Sequence, residues 1–423
     1  MATTISNSFL PSKLQYFHPS CSNPPRNLRI LSCLSLDQSK NVSSITTTTM
    51  TLRVIFAAGG TGGHIYPAVA IADELKALNQ FTQILFIGTK TGMESTAIPS
   101  AGYPFTAITA SPLSRPIISL KNLIIFPFIL TSSLLKSLKI IQEMDPHVVV
   151  GTGGYVSLPI CLAAALKGVK LVIQEQNSEP GIANWGLSLL AERVFVAYDS
   201  SVECFWQKEK CVVCGNPVRS AVRTFTSKVA ALREFFPKLG DREGQRKVVL
   251  VLGGSLGANA INIELLHSYR QLLRERKDLC IIWQTGVESF DEMESLVRSH
   301  PRLLLAPFLH SLDFAYAAAD LIVSRAGAMT CSEILATGKP CILIPSPDAD
   351  EGHQLRNAGL MADLAGARVI MEDELDSTTL RTTIEEILDN EKILQKMSEL
   401  ALMAAKPNAS GEIARQILNL VNL

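Results

Sequence analysis

Gly59-Gly60-Thr61-Gly62-Gly63-His64 closes an apolar run, Leu52–Ala58, and leads into a stretch with helical spacing, Pro67–Leu78. The run is short and nearly continuous in Val, Ile, Phe and Ala, the pattern of a parallel strand buried on both faces. Strand, glycine turn and helix together open a nucleotide-binding α/β unit. The glycines let the backbone approach a ligand that side chains would repel, and the helix start offers free N–H groups and a positive dipole end to an anion. A second such unit lies downstream, where Lys247–Leu252 runs into Gly253-Gly254-Ser255-Leu256-Gly257-Ala258. Two copies predict two similar α/β domains facing one another across a cleft. Neither turn is G-x-G-x-x-G, and neither carries the lysine of a P-loop.

Composition agrees with two domains. The chain has 423 residues, 47% hydrophobic and 18% charged, too many for one ordinary core. A net charge near zero gives a nucleic-acid partner no electrostatic support. Nine cysteines lie scattered without a disulfide-like framework, which fits a reducing compartment. Cys211-Val-Val-Cys214 lacks the second pair of a zinc site and reads as a buried strand, with a redox or metal role as the alternative.

The first fifty residues differ from the rest. They hold ten serines, six threonines, four Lys/Arg and a single acid, Asp37, with no continuous apolar core. This is the composition of an organellar transit peptide, and the Ser/Thr richness favours a plastid over a mitochondrion. A disordered extension is the alternative. No segment reaches the ~20 apolar residues that span a bilayer. The nearest is Asn122–Leu135, between Lys121 and Lys136 and interrupted by Pro127. With Arg115 and Lys139 nearby it suits either an interfacial element or a buried helix.

Further strand-like runs are Gln83–Ile87, Val148–Val150, Lys170–Ile173, Arg193–Val196 and Cys211–Val213 in the first half, and Leu279–Gln284, Leu303–Ala306, Leu321–Val323 and Cys341–Ile344 in the second. Helical stretches between them include Ala258–Arg274, Leu312–Ala318, Thr330–Ala336 and Ser377–Asp389. The division expected is a leader at 1–50, a first domain at 51–220, a linker at 221–246, a second domain at 247–410 and an amphipathic tail at 411–423 that returns to brace the first domain. Ligands of such sheets bind in loops at the carboxyl ends of strands.

The loops carry the chemistry. His64, at a helix start, can take a proton from a hydroxyl or donate to a phosphate; capping alone is the alternative. Ser255 and its neighbouring amides suit a diphosphate. Arg219, after Gly215-Asn216-Pro217, adds a fork of donors matched to phosphate oxygens, although an arginine after a turn is also a common ion-pair partner. Glu333 follows the small-residue turn Ser324–Ala328 by about one helical turn. It can accept two ribose hydroxyls, or serve only as a first-turn acid worth about 0.3–1 kcal/mol to its helix. The cluster Asp348-Ala349-Asp350-Glu351 reads as a solvated loop, with a cation site as the alternative; no H-E-x-x-H is present, and no DxD triplet stands in a metal-binding context.

These segments, in this order, resemble the MurG family of peptidoglycan glycosyltransferases. The matching stretches are GGTGGHIYPAVAIADEL (59–75), VVVGTGGYVSLP (148–159), QEQN (174–177), GNPVR (215–219), GGSLGAN (253–259), SRAGAMTCSEI (324–334) and HQLRNA (353–358). The likeness covers about residues 52–420, and the ordered set is far more specific than any one motif. It implies the GT-B fold: two Rossmann-like α/β domains whose parallel sheets face an interdomain cleft. The second domain would hold UDP-N-acetylglucosamine and the first a polyprenyl-pyrophosphoryl-muramoyl peptide.

By position, Glu333 resembles the family's ribose ligand, Ser255 a diphosphate ligand and Arg219 a nucleotide-sugar contact. Leu309 matches a position whose backbone meets uracil. Ala328, Met329 and Thr330 match the turn under the nucleotide, and Gln354 a contact to sugar hydroxyls. Asn177, Thr61, Gly62 and Gly63 match residues near the transferred sugar, while Tyr155 and Glu175 sit in acceptor-side motifs. The family's membrane patch corresponds to Arg115–Lys139. Three departures bear on the acceptor: the loop Ser111-Pro112-Leu113-Ser114-Arg115 replaces a glycine- and basic-rich one, His353 stands where a second glutamine is common, and the leader is foreign to bacterial members.

The reaction implied is an inverting single displacement by the acceptor 4-hydroxyl, with His64 as general base and no cofactor or metal. It would take place at a plastid inner-envelope or thylakoid surface. A galactolipid synthase-like UDP-sugar:lipid transferase and a non-catalytic membrane scaffold of the same fold are the alternatives.

Overall fold

A computed structural model describes residues 51–111, 120–224, 226–239, 246–254, 257–349 and 352–422. Residues 1–50, Arg115, Ser255, Leu256, Asp350 and Glu351 lie outside the described residues.

The first domain alternates strand and helix: β1 (Arg53–Ala57), α1 (Gly62–Leu78), β2 (Gln83–Thr89), α2 (Glu94–Ser100), β3 (Phe105–Ile108), α3 (Leu120–Met144), β4 (Val148–Gly151), α4 (Ser157–Leu166), β5 (Lys170–Glu175), α5 (Ile182–Ser188), β6 (Arg193–Val196), α6 (Asp199–Val202) and β7 (Cys211–Val213). Two helices follow, α7 (Ser220–Arg223) and α8 (Lys228–Phe235). The second domain runs β8 (Lys247–Leu252), α9 (Asn259–Glu275), β9 (Leu279–Gln284), α10 (Phe290–Leu296), β10 (Leu303–Ala306), α11 (Leu312–Ala318), β11 (Leu321–Ser324), α12 (Ala328–Thr337), β12 (Cys341–Leu343), α13 (His353–Ala365), β13 (Arg368–Val369), α14 (Ser377–Leu388) and α15 (Glu391–Ala404), and α16 (Ala409–Leu420) ends the chain.

Among the described residues the first sheet has the order β3-β2-β1-β4-β5-β6-β7 and the second β10-β9-β8-β11-β12-β13, with every pairing parallel. The apolar runs are continuous because both faces of each strand are covered. Val54 and Phe56 of β1 pack with Ile65, Ile71 and Leu75 of α1, whereas Ile55 and Ala57 pack on the opposite face with Ile160 and Ala164 of α4. In β8, Val248 and Leu250 enter one core cluster and Val249 and Val251 the other.

Four features differ from the sequence reading. β3 and β13 went unread, being a four-residue edge strand and a two-residue one with little pattern to detect. α1 begins at Gly62 rather than Pro67, so Gly62 and Gly63 fall in its first turn and Pro67 lies inside the helix, in its second turn. β7 is an edge strand whose residues are only half-buried; Cys214, just past it, is buried. Part of 221–246 is a packed helix: Ala231 and Leu232 of α8 and the following Phe236 lie in the second domain's core beside Leu250 and Tyr316.

The chain therefore passes between domains at 214–219, close to Asn216 and Arg219. It returns through α16, whose Ile413, Ala414 and Ile417 are fully buried in the first domain's core with α1.

Candidate active site

Strand order reverses between β1 and β4 in the first sheet and between β8 and β11 in the second. Crevices form at such switch points, beyond the carboxyl ends of the strands. Gly59–His64 follows β1, and Gly253 and Gly254 follow β8. The two crevices face each other across one cavity of about 860 Å³. Thr61, Gly62, Gly63 and His64 line it from the start of α1, Asn177 from the loop after β5, and Arg219 from the crossing between domains. From the other side come Leu309 after β10, Ala328, Met329, Thr330 and Glu333 on α12, and Gln354 on α13.

Tyr155 and Glu175 are not among the lining residues. The Tyr155 ring packs against Gly60. Glu175 is buried and accepts hydrogen bonds from the Asn177 backbone (2.9 Å), Asn177 Nδ2 (3.0 Å), Asn184 Nδ2 (2.8 Å) and the Gly181 backbone (3.2 Å). Its carboxylate shapes the loop that presents Asn177 and does not face the cavity. Ser255 belongs to the undescribed part of its turn.

The second-domain wall is built around Glu333. Arg219 Nε and Nη2 donate to its Oε1 at 3.2 and 3.0 Å, and the Tyr316 hydroxyl donates to Oε2 at 3.0 Å. Arg219 also lies over the Tyr66 ring, 4.9 Å from its centroid. Burial works against the arginine's charge, but the Glu333 carboxylate more than compensates and raises its pKa. Burial, followed by the same carboxylate, lifts the Tyr316 hydroxyl well above its ordinary value, so it stays a donor.

Close by, Gln354 Oε1 accepts from the Ser346 backbone at 2.9 Å, which leaves its amide NH₂ as the donor end. The Leu309 backbone N–H is taken by Gln284 Oε1 at 3.1 Å. The amides of Gly62 and Gly63 in α1 and of Ala328, Met329 and Thr330 in α12 border the cavity without an intrahelical acceptor, whereas the His64 N–H donates to the Thr61 carbonyl at 3.1 Å.

On the first-domain wall, His64 Nδ1 lies 2.9 Å from the Thr152 carbonyl and 3.0 Å from Gln176 Oε1. The ring fits because Gly153 and Gly154 lack side chains. Both have positive φ, and a Cβ would come within 3.0 Å of the imidazole at Gly153 and within 2.6 Å of the Gly59 carbonyl at Gly154. The buried Glu94 holds the turn from beneath: it accepts from the Gly60 backbone at 3.2 Å and from the Thr89 backbone and hydroxyl at 2.9 and 2.6 Å.

Sequence reading missed Gln176, Tyr316, Asn357 and Glu94. Gln176 and Asn357 stood inside quoted motifs without a local cue to their role. Asn357 Oδ1 accepts from Ser178 across the cleft at 3.0 and 3.1 Å, a contact no local pattern encodes. Tyr316 reads as one more apolar residue of α11, and Glu94 as an ordinary helix-start acid.

Two facing parallel-sheet domains with glycine turns at both switch points define the GT-B fold. Residues 54–196 match the glycosyltransferase family 28 N-terminal domain, and residues 248–413 match the family 28 C-terminal domain. The UDP-N-acetylglucosamine--N-acetylmuramyl-(pentapeptide) pyrophosphoryl-undecaprenol N-acetylglucosamine transferase of Salinibacter ruber is 40% identical over 370 residues, 87% of this chain and 97% of that protein. Its namesake in Bacillus cytotoxicus is 37% identical over 374 residues, 87% of this chain and all of that one. The crystal structure of Acinetobacter baumannii MurG superposes with a TM-score of 0.66 at 28% identity, covering 87% of this chain and 99% of that one. The chain belongs to the MurG family.

Proposed function

We propose that the protein transfers N-acetylglucosamine from UDP-N-acetylglucosamine to the 4-hydroxyl of a lipid-pyrophosphate-linked N-acetylmuramoyl peptide, with inversion. The observation that carries this reading is one cavity with His64 on the first-domain wall and the Arg219–Glu333–Tyr316 group on the other. The donor's ribose hydroxyls go to Glu333. Its diphosphate goes to Arg219 and the first-turn amides of α12, which oppose the charge that grows on departing UDP; each well-placed donor is worth about 3 kcal/mol in such a role. His64 takes the proton of the attacking hydroxyl. Closure of the two domains excludes water and protects the donor from hydrolysis. The positive charge of Arg219 and these amides supports leaving-group departure without a divalent ion.

Transfer of labelled N-acetylglucosamine to a purified lipid-linked muramoyl peptide tests the reading. Wild-type protein should form product, and His64→Ala should lower kcat by about 10²–10⁴-fold with donor KM nearly kept. Transfer of galactose to diacylglycerol instead would overturn it.

Two further parts of the proposal concern location. Residues 1–50 act as a plastid transit sequence, on the strength of their Ser/Thr-rich, acid-poor composition. The mature chain sits on a membrane surface through α3, supported by the exposure of Phe128 (76%) and Leu135 (63%) two turns apart on that helix, with Lys139 exposed beyond them.

A further inference from the structure

We propose that Gln176 is a positioning residue that holds His64 in its Nδ1–H tautomer, and that a chain of buried amides ties this arrangement to the donor domain. The proposal rests on the reading of His64 as the base.

The direction of every bond in the chain can be fixed from its far end. On α12, the Ser332 hydroxyl donates to the Ala328 carbonyl at 2.9 Å, so its oxygen accepts from Asn216 Nδ2 at 2.8 Å. That turns Asn216 Oδ1 toward Gln174 Nε2, 3.0 Å away. Gln174 Oε1 then accepts from Gln176 Nε2, which also donates to the Thr152 carbonyl at 2.8 Å. Gln176 Oε1 is left facing His64 Nδ1 at 3.0 Å. The Thr152 carbonyl, 2.9 Å from the same nitrogen, can only accept. Two acceptors on Nδ1 place the proton there in the neutral ring and leave the lone pair on Nε2, the nitrogen a base must use.

Gln174, Gln176 and Asn216 are 0, 1 and 4% exposed, so water does not replace a lost partner. Flipping any one amide would set like groups against each other along the chain. Asn216 lies at the crossing between domains, and Ser332 precedes Glu333. Main-chain carbonyls fix the same directions, since Asn216 Nδ2 also donates to the Gln176 carbonyl at 2.8 Å and Gln174 Nε2 to the Glu175 carbonyl at 3.2 Å, so the helix that reads the donor braces, through Asn216, the amides that orient the imidazole on the opposite wall.

The test uses the full chain labelled with ¹⁵N-histidine, with the His64 signals identified by their loss in His64→Ala. The wild-type protein should show the Nδ1–H pattern at neutral pH. Gln176→Leu should give a mixed pattern, with kcat at least tenfold lower and the KM for UDP-N-acetylglucosamine within twofold. Ser332→Ala, remote from the ring and mild in volume, should shift the pattern in the same sense. Gln176→Glu should raise the acidic limb of the kcat/KM profile by about 1–3 pH units, because a carboxylate beside Nδ1 favours the imidazolium.

Unchanged His64 signals and kcat in both Gln176→Leu and Ser332→Ala would overturn the proposal. Undiminished kcat in His64→Ala would instead remove the base reading, while the nitrogen signals would still report on the positioning.

Discussion

Glu333 meets two partners in the cavity, Arg219 on one carboxylate oxygen and Tyr316 on the other. In the proposed donor complex the ribose hydroxyls replace Arg219 on Oε1, while Tyr316 keeps the carboxylate aimed from Oε2. Hydrogen bonds to charged groups are worth about 1.5–3 kcal/mol each. Glu333→Ala should therefore raise the donor KM by about 10–100-fold. Tyr316→Phe removes one donor and leaves the carboxylate in place, so its effect should be smaller, about 3–10-fold, and also in KM. Steady-state kinetics with varied UDP-N-acetylglucosamine will separate them; normal donor binding by Glu333→Ala would remove the ribose assignment. Residue by residue, the local turns offered Glu333, Arg219 and His64 as candidates beside plainer alternatives, and the family resemblance singled them out. It did not point to Tyr316 or Gln176, whose importance comes from partners on other elements.

Among the helices, α3 shows what pattern alone leaves open. Its apolar stretch suited either a buried or an interfacial helix, and the fold buries one part of it and leaves another exposed. Ile140 and Ile141, near its carboxyl end, are buried against the first sheet, while Phe128 and Leu135 face outward. No helix among the described residues is long and apolar enough to cross a membrane. Phe128→Asp with Leu135→Asp should cut co-sedimentation with anionic lipid vesicles by tenfold or more and leave thermal stability nearly unchanged, since neither side chain packs in a core. Vesicle binding equal to wild type would exclude this face as the membrane contact. The neighbouring α2 makes the complementary point. Seven residues long, it matters through Glu94 at its first position, whose carboxylate ties the turn after β2 to the turn after β1.

At the scale of the whole molecule, the chain crosses between domains at Gly215–Arg219 and returns through α16, so the first domain's core is completed by the last helix of the sequence. Residues 1–50 precede both domains. Residues 1–50 fused to a fluorescent protein should carry it into plastids of a plant cell, and a cytosolic signal would remove the organellar reading. The sequence by itself determined the two α/β domains, the glycine turns at their switch points and most strands. These follow from short-range facts: continuous apolar runs for strands covered on both faces, and glycines where backbone must approach a ligand or another turn. Only the tertiary structure decided that Glu175 faces inward to shape a loop, that α8 belongs to the second core, and that Gln176, Gln174, Asn216 and Ser332 form one hydrogen-bonded line. Those outcomes depend on contacts between residues as much as 116 positions apart, and the direction of a buried amide is set by its partners in space rather than by its neighbours in the chain.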